Sequence, residues 1–130
     1  MLTATALMSS DFVLVPIKPD RFSIVGYSMM QEVIDNFRYD YPDPQRVQDL
    51  GVVFTQVTGD SDIENECKRE VAEGASYVFK TEIKASKSYL RSVMTQKPVF
   101  HTQYARLITK QNIRALSNEM EVRINSLLKA

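Results

Sequence analysis

Cations crowd one stretch of this chain. Between Lys80 and Arg114 stand Lys80, Lys84, Lys87, Arg91, Lys97, Arg106, Lys110 and Arg114 against Glu82 alone, eight minus one, or +7 in 35 residues. Charge gathered in this way suits contact with a polyanion, because phosphate recognition needs only positive charge and reach. A solvated face bearing scattered lysines has the same composition and stays open as the alternative. The remainder of the chain balances the run. Residues 1–65 hold four basic and ten acidic side chains, a net of −6, and residues 66–130 hold twelve basic and six acidic, a net of +6.

Other chemistries find fewer residues to work with. The four glycines, Gly26, Gly51, Gly59 and Gly74, are scattered and form neither a Walker-type phosphate loop nor a dinucleotide fingerprint. His101 is the single histidine, and it reads as a turn or surface residue, since no nucleophile elbow accompanies it. Cys67 stands alone, which excludes an intramolecular disulfide, fits a reducing cytoplasm and reads as a small packed side chain. Asp60, Asp62 and Glu64 alternate, but without the glycine and distal glutamate of a calcium loop they read as a capping loop. No catalytic constellation and no metal-ligand spacing is complete.

These residues have to be positioned by a short series of elements. Residues 1–10 read as the tail of a helix, with Leu2, Ala6 and Leu7 inward and Ser9-Ser10-Asp11 as its stop. Phe12–Ile17 and Leu50–Thr55 are continuous apolar runs, the mark of strands buried on both faces. Between them Phe22, Val25, Met29, Met30, Val33, Ile34 and Phe37 recur at helical spacing, and Tyr41-Pro42-Asp43-Pro44 ends that helix. Gly26 interrupts the helix at a cost of about 1 kcal/mol relative to alanine, which suggests close packing or a kink. A helix over residues 63–73 follows, capped by Ser61 or Asp62. Tyr77–Ile83 alternates as a third strand, Ser86–Thr95 reads as a short helix, and Val99-Phe100 as a few strand-like residues. A last helix over residues 109–129 lines up Ile113, Leu116, Met120, Ile124 and Leu127.

Strands alternating with helices predict an α/β domain with a parallel sheet. The 130 residues suit one domain, and 44% hydrophobic against 25% charged residues argues against disorder. No apolar run approaches the roughly 18 residues of a membrane span, and residues 1–8 lack a signal peptide's basic start. Three strands make a thin sheet for two such hydrophobic runs, so the sequence reads as part of a larger one.

The ordered motifs resemble those of ParA/MinD-type ATPases, most closely the ParA-type partition proteins. Ser10-Asp11-Phe12-Val13-Leu14-Val15-Pro16-Ile17-Lys18-Pro19-Asp20, with Gly26 beyond it, resembles the segment after the family's Walker B strand. Leu50-Gly51-Val52-Val53-Phe54-Thr55 is similar to the family's Leu-Gly-Val-Leu-x-Thr strand. The helix with Glu70-Val71, the strand Val78–Ile83, Gln96-Lys97-Pro98-Val99 in place of Gly-Lys-Pro-Val, and the closing helix follow in family order. The family's Walker A motif and Walker B aspartate would precede Met1. The resemblance therefore implies the C-terminal portion of a P-loop NTPase-like parallel sheet with flanking helices, its N-terminal half missing.

Several expectations follow from the resemblance. Thr55 and Gln56, with Lys84, Ala85 and Ser86 where the family has Pro-Arg-Asn after Ile83, would form the adenine side of a nucleotide site. Lys68, Arg69, Lys84, Lys87 and Arg91 would form a non-specific surface for double-stranded DNA. ATP and Mg would belong to the complete family member, and this chain alone would not hydrolyse ATP. Self-association or an N-terminal half, and a ParB-like protein, are the implied partners, with no membrane and a cytoplasmic location. A stand-alone interaction module pairing through an exposed sheet edge is the alternative. An unrelated α/β enzyme with its site near residues 18–20 and 55–60 ranks third.

Overall fold

A computed structural model describes residues 2–43, 47–59, 61–102 and 105–130. Pro44 and Asp60, part of the expected helix stop and acidic run, lie outside them. The elements are helix α1 (Leu2–Met8), strand β1 (Phe12–Ile17), helix α2 (Arg21–Asp40), strand β2 (Gln48–Phe54), and helices α3 (Asp62–Gly74), α4 (Lys87–Thr95) and α5 (Leu107–Lys129).

The two apolar runs pair in parallel, Phe12 opposite Gln48 and Ile17 opposite Phe54. Gln48 N donates to Asp11 O and Thr55 N to Ile17 O. Odd-numbered β1 residues thus turn their backbone toward β2, and Pro16 falls on the outer edge, where its missing N–H breaks no ladder bond. The register slips by one between Val13 and Leu14, opposite Gly51, which has φ +134°. Only glycine takes that conformation without strain.

One face of the sheet packs Val52, Phe54 and Ile17 against Ile24 of α2 and against Cys67 and Val71 of α3. The other face packs Leu50 and Val53 with Phe79 against Leu116, Met120, Ile124 and Leu127 of α5. The expected α5 stripe is therefore a core stripe. Both strands are covered on two sides, which is why their sequences show no polar alternation.

Four expectations need correction. The third strand over 77–83 is not continuous: it meets β2 at a single parallel bridge, Val52 with Val78, and a second bridge joins Val57, three residues beyond β2, to Lys84. Between them the amides of Lys80 and Thr81 turn away to the Glu119 carboxylate of α5. Val99–His101 is a 3-10 turn in which His101 N donates to Pro98 O, because the Pro98 ring starts a tight turn more readily than a strand. On α2 the helical spacing holds but the inward face is Ile24, Ile34 and Phe37. Phe22 stands 91% exposed, with Val25, Met29 and Val33 also outward, because the helix has apolar residues on two sides and the sheet covers one. Leu2 and Ala6 of α1 are likewise exposed, while Leu7 is buried.

Of the two expected caps for α3, Ser61 serves, accepting from Ile63 N. Asp20 caps α2 by accepting from Ser23 N at 2.8 Å, and Ser86, read as the first residue of a helix, instead caps α4 through Ser88 N. The bond from Ser23 N holds the Asp20 carboxyl below its ordinary range. Gly26 meets nothing within 4 Å of where a Cβ would stand, so no neighbour among the described residues requires it.

Candidate functional site

At the carboxyl ends of β2 and of the 77–85 segment the chain opens a cleft of about 590 Å³. Crevices outside the carboxyl ends of parallel strands are the usual ligand seats of α/β sheets, and this volume suits a small organic molecule. The floor forms where Val57 N donates to Ile83 O and Ala85 N to Val57 O, which ties the two strand ends together. Gln56, between them, takes φ +52°, a left-handed conformation that costs a non-glycine residue energy and turns the chain sharply at the rim.

Thr55 and Gln56 line this cleft together with Lys84, Ala85 and Ser86. Two stretches nearly thirty residues apart in sequence thus meet at one place, and these are the five residues singled out as a nucleotide site. Ile83, Tyr89, Leu90 and Val93 complete the lining with an apolar wall. The Tyr89 hydroxyl is buried and has no hydrogen-bond partner among the described residues, and burial raises its pKa. Among the described residues, no carboxylate lines the cleft. Its described lining combines an apolar wall with polar residues, as suits a small organic molecule.

The residues singled out for DNA divide into two groups. Lys84 stands exposed at the cleft rim, and Lys87 and Arg91 lie one turn apart on α4, both exposed. Lys68 turns instead to Glu82 and forms a half-buried ion pair. Arg69 is exposed on α3. No carboxylate occurs in the sequence from Ile83 to Asn118, and Glu82, the acid nearest Lys84, is taken up by Lys68.

Helix α5 fixes the far side. Asn112 accepts from Lys84 N at 2.9 Å and donates to Glu82 O at 2.7 Å, the two bonds that a neighbouring strand would otherwise make. Thr109 and Ser86 share a hydroxyl bond at 3.0 Å, and Arg106 N donates to Ser88 Oγ. Arg106, Thr109 and Asn112 were not picked out as site residues by sequence reasoning. Arg106 belonged to the cationic run, and no local signal placed it beside Lys84.

Asp62 and Glu64, expected in a capping loop, lie in the first turn of α3, and Glu64 reaches back to the loop before it. The Glu64 carboxylate accepts from Thr58 Oγ1, Thr58 N and Gly59 N, and these bonds lower its pKa. Compared with known proteins, the sequence matches no family model and no curated protein.

Proposed function

We propose that this chain is the C-terminal part of a ParA-like partition ATPase, supplying the adenine-side wall, part of a dimer-facing surface and a non-specific DNA-binding face. The observation that carries this reading is the meeting of Thr55 and Gln56 with Lys84, Ala85 and Ser86 in one cleft at parallel strand ends. The basic face beside it, from Lys84 along α4, supports the DNA component. In the complete protein the triphosphate and Mg would be held by a Walker A loop, which this sequence does not contain. A ParB-like protein is the expected stimulating partner.

The test is a nuclear magnetic resonance titration of the chain with ADP, beside a DNA-binding salt series. Saturable shifts at Gln56, Lys84, Ala85 and Ser86, and salt-sensitive duplex binding lost in a Lys84/Lys87/Arg91→Glu variant, support the reading. ATP turnover by the pure chain, or shifts that avoid the cleft, overturn it.

A second reading has its own observation. Phe22, Val25, Met29 and Val33 form an exposed apolar stripe on α2, and the outer edge of β1 has no strand partner among the described residues. Both invite association, with an N-terminal half or a second copy. Sedimentation of the wild-type chain against a Phe22→Glu/Met29→Glu variant tests it: a monomer at every concentration in both would remove the interaction-module reading.

A further inference from the structure

Lys84, Ala85 and Ser86 also border a second, open cavity of about 360 Å³, bounded on its far side by the first turns of α5. Two cationic residues border it, Lys84 at the strand end and Arg106 just before α5, and both are exposed, so their charges are within reach of a ligand there. Among the described residues neither has a carboxylate partner, and the nearest acid in sequence, Glu82, is paired with Lys68. The walls are tied in place: Lys84 N to Asn112, Arg106 N to Ser88, and Ser86 to Thr109. Since Ser86 and Thr109 share one hydrogen between two hydroxyls, one O–H of the pair remains free to donate. Helix α5 starts here without a side-chain cap, so its positive end adds to the same field.

We propose that this cavity is a phosphate-ester site, with Lys84 and Arg106 as the charged arms and the Ser86–Thr109 hydroxyl pair as neutral donor. Arginine and lysine together supply a planar fork and a mobile point charge, which suits tetrahedral oxygens spread over several directions. The site extends the basic face beyond α4 and gives it one fixed contact. It deepens the DNA-facing reading and rests on that reading for the source of the phosphate, a duplex backbone rather than free phosphate.

The test uses the whole chain and two probes. Inorganic phosphate, titrated at constant ionic strength, is expected to shift the Ser86 and Thr109 amide resonances saturably in the wild type, and not in Arg106→Gln or Lys84→Gln. A labelled DNA duplex, titrated across a salt series, is expected to bind Arg106→Gln several-fold more weakly, with the logarithmic salt slope reduced by about one. Lys110→Gln, which removes the same charge outside the cavity, is expected to lose less. A duplex effect specific to Arg106 supports the backbone source, with or without phosphate shifts. Saturable phosphate shifts with equal duplex losses leave the site standing for free phosphate and remove its DNA role. Equal losses with no phosphate shifts overturn the site. If the wild-type chain binds no duplex while phosphate still saturates, the DNA reading fails and the phosphate site does not.

Discussion

The Glu119 carboxylate accepts hydrogen bonds from the backbone amides of both Lys80 and Thr81, at 2.7 and 2.8 Å, across 38 or more residues of sequence. It also accepts from the Tyr77 hydroxyl at 3.1 Å. Seven residues earlier, two helical turns away, Asn112 makes the matching pair of bonds to Lys84 N and Glu82 O. Side chains of α5 therefore occupy the hydrogen-bonding edge that another strand would take. The sheet ends under a helix on this side, and on the other side β1 has no strand partner among the described residues.

Glu119→Ala is expected to destabilise the chain by about 1–2 kcal/mol, since two charge-assisted bonds to backbone are lost at a half-exposed site. Glu119→Gln keeps one of the two acceptor oxygens and is expected to lose less than Glu119→Ala. Burial alone would raise the Glu119 pKa, but the bonds from Thr81, Lys80 and Tyr77 outweigh it and hold the carboxyl below its ordinary value. A depressed carboxyl contributes stability above its unfolded pKa and loses it as pH falls through the folded one. The wild-type advantage over Glu119→Gln should therefore be full at neutral pH and shrink in acid below the ordinary glutamate range. Urea midpoints measured on both proteins from pH 7 downward check this, and a constant difference would refute it.

Gly51→Ala is expected to be far more damaging. A Cβ there would stand 2.7 Å from Tyr77 O and 2.8 Å from Tyr77 Cδ1, and the backbone holds φ +134°. Contact with backbone cannot be relieved by a rotamer change, so a cost of at least about 3 kcal/mol is expected from strain and displacement together. Loss of a cooperative thermal transition in Gly51→Ala, with Gly74→Ala as the control whose Cβ meets nothing within 4 Å, is the measurement.

Much of this architecture was legible in the sequence, for identifiable reasons. The runs Phe12–Ile17 and Leu50–Thr55 announced strands covered on both faces, and Ser61 and Ser86 announced helix starts, because burial and capping are written in neighbouring residues. The break in the third strand was not legible, since it depends on Glu119 arriving from a distant helix. The inward face of α2 was ambiguous because Phe22, Val25, Met29 and Val33 satisfy the same spacing as Ile24, Ile34 and Phe37. Of the cleft, Thr55, Gln56 and Lys84–Ser86 were marked through family resemblance, while Tyr89 entered only with the geometry.

Gly26 offers the opposite test from Gly51. It lies exposed in the interior of α2 with open space around it, so Gly26→Ala is expected to stabilise the chain by roughly 0.5–1 kcal/mol through the unfolded state and helix propensity. A rise in melting temperature for dilute protein checks this. If the α2 face also packs against another helix, the added methyl should weaken association while the isolated chain gains stability. The two effects separate in a concentration series.

Lys68 and Lys84 should differ sharply when neutralised, although both belong to the cationic half. Lys68 is 20% exposed and engages Glu82, itself 29% exposed, so removing it leaves a partly desolvated carboxylate without its counter-ion. Lys84 has no such partner among the described residues, and its side chain is free at the cleft rim. Lys68→Met is therefore expected to lower stability, and the double variant Lys68→Met/Glu82→Gln to recover most of that loss. Duplex affinity should change little in either, because the Lys68 charge is already compensated. Lys84→Gln should leave the melting temperature within about 1 kcal/mol equivalent and weaken duplex binding. A thermal and anisotropy comparison of the three proteins decides it: a Lys68→Met loss in affinity as large as that of Lys84→Gln would mean that the ion pair opens to meet DNA, and the contrast drawn between the two lysines would be wrong.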